Sequence, residues 1–214
     1  MEKYISKKEK ASYGFAAVGS YMVAGITQSY LMYFFTDILI ILSAFVMMLM
    51  IVARVWDALN DPMMGVIVDR TSTKYGKMRP YVLVGSFLML FTTIVLFVPL
   101  TGAPTMFKMI FAAVSYIVFG MAYTLTDVPA MGLMSVATPN SDERASLLSF
   151  YVTVGSVGSL LPVGLLTIFQ SFIPEKYVYF AMSIFVGIIT SAAYLMLFKN
   201  SKERFSTHTE KIAV

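Results

Sequence analysis

The 214-residue sequence has no cysteine, one histidine, one tryptophan and few charges, 13% of its residues. The missing cysteines exclude disulfides, thiolate metal sites and thiol nucleophiles, and they leave the redox compartment unmarked. The single histidine, His208, lies in the polar tail, so an imidazole proton relay or histidine base within the apolar part is excluded. A small-residue cleavage site is also lacking near the start. The charged segment Met1–Lys10 runs directly into an apolar span too long for a signal-peptide core, and the first helix is expected to stay in the mature protein.

What the chain has instead is apolar residues: 58% are hydrophobic and the mean hydropathy is +0.76. Such a composition, with recurrent charge-poor runs, belongs to a membrane protein rather than a soluble core. The pI near 9.2 does not point to nucleic acid, because the basic residues occupy short connections and form no single stripe. Six apolar spans are expected, at about Ser12–Phe35, Leu42–Val66, Tyr81–Leu100, Met106–Val136, Leu147–Phe172 and Tyr177–Phe198. Each approaches or exceeds the ~20 residues that cross a bilayer at a rise of 1.5 Å per residue. The fold expected is therefore all-α, a six-helix transmembrane bundle over residues 12–198. Residues 1–11 precede it, and a polar tail, 199–214, follows as a solvated end rather than a folded module.

Lysines and arginines gather at both chain ends and in connections two-three and four-five, while the opposite side holds only Lys108 and Lys176. The positive-inside rule then places both termini in the cytoplasm of a multi-pass cell-membrane protein. Thr101-Gly102-Ala103-Pro104 and Ile173-Pro174-Glu175 punctuate the opposite side. Ser141 is the expected N-cap of span five, with Asp142 and Glu143 in its first turn. Gly14, Gly19 and Gly25 on span one, and Gly155, Gly158, Ser159 and Gly164 on span five, suit close helix packing.

The charges inside the spans are few and clustered. Arg54, Asp57 and Asp61 fall at i, i+3 and i+7 near one face of span two, with Asn60 beside them. Charges at membrane depth cost at least ~2.5 to 3.5 kcal/mol each on insertion scales, so they pair and line ion or substrate paths. Pro62 deprives the Ala58 carbonyl of its helical partner within this cluster, and Pro129 does the same for Leu125 beside Asp127 in span four. Carboxylates, an amide oxygen and loosened carbonyls form a hard-oxygen environment suited to Na⁺, Li⁺ or a proton, and poor for a transition metal; no other cofactor is called for. Two acids against one base leave surplus negative charge that a mobile cation would offset. Helix-helix adhesion by an Arg54–aspartate pair is the plainer alternative.

Beyond span two come Gly65-x-x-x-Asp69-Arg70 and Gly76-Lys77-x-Arg79, with Glu143-Arg144 in the later connection on the same side. A positive-inside loop needs neither the Asp69–Arg70 pair nor the glycines, whereas a charge clasp between bundle halves uses all of them. Arg54 is grouped with these gating residues.

These residues resemble the major facilitator superfamily. Within it, Arg54-x-Trp56-Asp57-Ala58-x-Asn60-Asp61-Pro62-x-x-Gly65, Arg79-Pro80 and Asp127-Val128-Pro129 look like the glycoside-pentoside-hexuronide:cation symporters, the family of melibiose permease. The likeness runs from Ser12-Tyr13-Gly14-Phe15 to Lys199-Asn200-Ser201-Lys202-Glu203-Arg204, which looks like the start of a central cytoplasmic loop. It implies alternating access in a sugar or glycoside symporter of which this chain is the N-terminal six-helix half, with a C-terminal half or self-association as partner. It implies coupling-ion binding by Asp57, Asn60, Asp61 and Thr124. The sugar-binding positions of the melibiose branch fall on Tyr21, Asp127, Met131 and Val152, of which only Asp127 keeps the family's residue type. Tyr21, Gln28, Tyr30 and Tyr151 are other groups that could read a sugar.

Two further classes remain open. An aspartate-dependent membrane phosphotransferase or intramembrane protease fits less well, because neither a paired Asp-x-x-Asp array nor a Gly-x-Gly-Asp segment is found. A non-transporting remnant or assembly subunit is the other, since family members carry twelve spans and six are expected here.

Overall fold

The computed structural model describes residues 4–205. Six long helices follow in order: α1 (Lys7–Tyr33), α2 (Ser43–Arg70), α3 (Arg79–Leu96), α4 (Thr105–Ala137), α5 (Ser141–Gln170) and α6 (Glu175–Asn200). By length and composition, α2 to α6 are apolar enough to cross a membrane. α1 covers its expected span but is more polar than the other five. It begins earlier than expected, at Lys7, because the Ser6 hydroxyl oxygen accepts the Glu9 N–H and caps the first turn. It also runs on through a π-helical turn, Phe34–Ile38.

Other boundaries move for local reasons. α3 stops at Leu96 rather than Leu100, ahead of Pro99, which disfavours helical backbone at the residue before it. The N-cap of α5 is Asn140, not Ser141: its side-chain oxygen accepts the N–H groups of Asp142 and Glu143. The two acids do occupy the first turn. Pro62, Pro129 and Pro162 all lie inside continuous helices.

α1 packs between α5 and α6, α3 between α4 and α6, and α2 lies against α4. Glycines permit the closest approaches. A Cβ on Gly25 would stand 2.5 Å from the Ser159 carbonyl oxygen, and one on Gly158 2.8 Å from the Val18 backbone, so α1 and α5 meet main chain to main chain. One buried cluster, including Ile26, Phe34, Phe97 and Met182, fills the end nearer the α1–α2 turn. A second, with Tyr13, Val82, Leu133 and Leu197, fills the end where both described ends lie.

At the turn end, Lys108 is buried and donates from Nζ to the Leu39 carbonyl at 3.0 Å, beside Ile40, whose φ is 57°. The lysine counted on this side is thus an internal tie across a left-handed residue. At the terminal end the tail also departs from expectation. Residues 201–205 are bonded to α1, α3 and α4 instead of solvated: Arg204 donates to both carboxylate oxygens of Glu9 at 3.0 and 2.8 Å. That bond holds the Arg204 guanidinium above its usual pKa. His208 lies outside the described residues.

α2 and α5 are the least covered helices. Met48, Ile51, Val55 and Leu59 on α2, and Val157, Leu160 and Val163 on α5, are exposed.

Candidate cation and substrate site

α2 and α4 place the span-two acids against span four. Asp57 and Asp61 are one turn apart on α2, and the Thr124 hydroxyl of α4 donates to Asp61 Oδ1 at 2.8 Å. Gly120, a turn before Thr124, makes room for the other acid: a Cβ there would stand 3.0 Å from Asp57 Oδ1. Arg54 reaches Asp57 Oδ2 only at 4.0 Å, with its side chain 67% exposed, so this pair is loose and adheres weakly. This pair lies within α2, and the contact between helices is the Thr124–Asp61 bond. Asn60 sits on the turn between the acids, half-buried.

Asp127, one turn beyond Thr124, is held differently. Its Oδ1 accepts from the hydroxyls of Ser20 on α1 (2.8 Å), Tyr194 on α6 (3.2 Å) and Tyr151 on α5 (3.4 Å). Ser20 also lies 3.0 Å from the Tyr123 hydroxyl. Four helices thus converge on one carboxylate oxygen. Hydroxyl donors to an ionised acceptor make charge-assisted bonds that keep a charge tolerable where water is scarce.

Both groups open onto one cavity of about 570 Å³ between α1, α2 and α4. Arg54, Asp57, Asp61, Thr124 and Asp127 line it, together with Thr27, Gln28, Trp56, Tyr116 and Tyr123. A volume of this size lies in the range of small-molecule sites, and aromatic walls with a few convergent polar groups are their usual make-up. The Trp56 Nε1 is buried without a partner among the described residues. Carboxylates and a hydroxyl supply the donor set a hard monovalent cation needs.

Of the other positions expected to contact substrate, Gln28 lines the cavity and the rest do not. Tyr21 packs edge-on against Tyr151 with ring centroids 6.3 Å apart, Tyr30 lies against Tyr179, and Met131 and Val152 are exposed on α4 and α5. The clasp residues divide. Gly65 has open space where a Cβ would be, and Asp69 and Arg70 are exposed at the end of α2. Gly76, at φ +105°, and the N–H groups of Lys77 and Arg79 face the tail's Glu203, while Arg79 Nη2 donates to the Phe198 carbonyl at 2.7 Å. Glu143 accepts from the Thr138 hydroxyl and from the N–H groups of Tyr4 and Ile5, and Arg144 donates to the Ser135 carbonyl. Sequence reasoning missed Ser20, Gly120, Tyr194, Lys108 and Glu203. Each acts through a partner at least 63 residues away, and no local pattern marks it.

A comparison with known families finds MFS/sugar transport protein matching residues 12–213. The chain belongs to this family of the major facilitator superfamily. With α2 to α6 it is a multi-pass membrane protein. Similar curated proteins place it in the glycoside-pentoside-hexuronide branch. It is 32% identical to the uncharacterized symporter YjmB of Bacillus subtilis over 95% of this chain and 45% of that protein. It is 32% identical to the inner membrane symporter YicJ of Escherichia coli (94% and 44%), and 28% identical to the isoprimeverose transporter of Lactiplantibacillus pentosus (96% and 44%). The chain of this MFS/sugar transport family member spans less than half the length of these relatives.

Proposed function

We propose that this chain is the N-terminal six-helix half of a cation-coupled symporter for a sugar or glycoside, working in the cell membrane with both described ends cytoplasmic. The observation that carries the reading is the Thr124–Asp61 bond, which sets a neutral oxygen of α4 against the α2 acid pair at the wall of a cavity. Asp57, Asp61 and Thr124, with Asn60 beside them, hold Na⁺, Li⁺ or H⁺, and the cavity with Asp127 receives the sugar. The symporter names of the relatives and the isoprimeverose of one of them support this class. The exposed apolar faces of α2 and α5 would meet a C-terminal half or a second copy, because alternating access runs between two bundles that share a central site.

The test is reconstitution of the chain in liposomes, with oligomeric state measured and ion-driven uptake assayed over a panel of glycosides. Association, with cation-dependent sugar binding or uptake, is expected. Robust uptake by a demonstrated monomer would refute the half-transporter reading.

Topology has its own check. Ser72 and Ala103 lie in connections at opposite ends of the bundle, and the chain is free of cysteine. Ser72→Cys should react with a membrane-impermeant maleimide only from the cytoplasmic side and Ala103→Cys only from the other, following the charge bias. Labelling of both from one side would overturn six crossings.

A further inference from the structure

The Gly76–Arg79 segment is built around a carboxylate. Glu203 accepts the N–H groups of Lys77 (2.8 Å, Oε2), Met78 (2.8 Å, Oε1) and Arg79 (3.0 Å, Oε1) at the start of α3. Three converging backbone donors at a helix N-terminus form an anion seat, where the helix dipole adds its positive end. Gly76 completes it. Its φ of +105° suits glycine, and a Cβ there would stand within 2.5 Å of the Glu203 carboxylate atoms, so the hollow exists only because no side chain fills it.

The residues around Glu203 tie the same segment to three other elements. Arg204 bonds Glu9 of α1, and the N–H groups of Arg204 and Phe205 donate to the Val136 carbonyl near the end of α4 at 3.2 and 3.0 Å. The Lys202 N–H donates to Glu9 Oε1 at 3.3 Å, and Phe205 meets the Tyr4 ring edge-on. Among the described residues α2 takes no part. Its end, with exposed Asp69 and Arg70, is held through the 71–78 connection, which Glu203 grips at its far side.

We propose that Ser201–Phe205 is a releasable strap: the Glu203 carboxylate is the resident ligand of a carboxylate-binding cradle at Gly76–Arg79, and its release frees the 71–78 connection and with it the Asp69–Arg70 end of α2. Whatever displaces Glu203 acts on α2, the helix that bears Asp57 and Asp61, without touching the cavity. The device stands whether or not the chain transports a sugar, and its test reads no transport.

The absence of cysteine permits a single nitroxide at Ser72→Cys in the otherwise unchanged full chain, reconstituted in lipid nanodiscs. Glu203→Gly should raise the mobility of this label by ~5-fold or more, because the connection loses its charge-assisted bonds. Sodium acetate should lower this mobility in part, because it fills the cradle without tethering it to the tail, and sodium chloride at equal ionic strength should not lower it. Glu203→Gln keeps the volume, and is the variant to read if Glu203→Gly does not fold; it should raise mobility less and resist rescue, its amide still filling the cradle. Label mobility unchanged by both substitutions would overturn the strap. Mobility raised in Glu203→Gly but insensitive to acetate would overturn the carboxylate cradle.

Discussion

Asp61→Asn is expected to reduce cation-stimulated sugar binding or uptake by about 100-fold or more while leaving helix content unchanged, since the amide keeps the size of the acid and loses its charge. Asp61 carries the bond from Thr124 and shares the cavity wall with Asp57, so it meets both helices of the candidate cation site. Thr124→Val removes the donor alone. It should cost about tenfold in cation affinity, the scale of one hydrogen bond to a charged group, with sugar affinity in saturating cation little changed. Titration with Na⁺, Li⁺ and H⁺ checks both variants and identifies the coupling ion. Undiminished cation stimulation in both Asp61→Asn and Asp57→Asn would remove this site from consideration.

Gly25→Val is expected to damage the fold severely. A Cβ at this position would stand 2.5 Å from the Ser159 carbonyl oxygen, a main-chain atom that cannot rotate away. α1 and α5 would have to separate, and overpacking of this kind costs roughly 1–3 kcal/mol and sometimes more. The damage would also reach Asp127, because Ser20 comes from α1 and Tyr151 from α5. Gly164→Ala is the matched control. Among the described residues nothing lies within 4 Å of its Cβ position, and the better helix propensity of alanine should leave stability equal or slightly higher. Thermal melting in detergent separates the two; equal melting temperatures would mean that the α1–α5 contact is not close in the membrane.

The membrane class, the helix order and the polar face of span two were legible because each rests on local pattern: long apolar runs, punctuating prolines, and acids at i and i+4. Asp57 and Asp61 were read from charge and spacing and Thr124 from a family resemblance, and the fold brings the three to one cavity. Less could be read where the partner is distant. Nothing around Tyr194 distinguishes it from other tyrosines of the chain, yet it reaches Asp127 from 67 positions away. Glu203 was read only as part of a polar tail, since its use depends on the cradle at residues 76–79, 124 or more positions earlier. Lys108, counted only toward the charge on one side, turns inward because the Leu39 carbonyl is there to receive it. Asn140 displaced Ser141 as cap by a single residue, a difference that sequence preference alone does not resolve, since both are good caps.

The hydroxyl ring around Asp127 also bears on how firmly anything can be held there. The carboxylate is already served by a serine and two tyrosines, the kind of donor a sugar offers. A sugar hydroxyl arriving at Oδ1 would exchange one O–H donor for another, and an exchange of like bonds yields little net free energy. The place is therefore suited to brief occupancy. A carrier has to let go of its cargo on the far side as readily as it took it up, and a seat that refills with its own hydroxyls makes departure nearly as favourable as arrival.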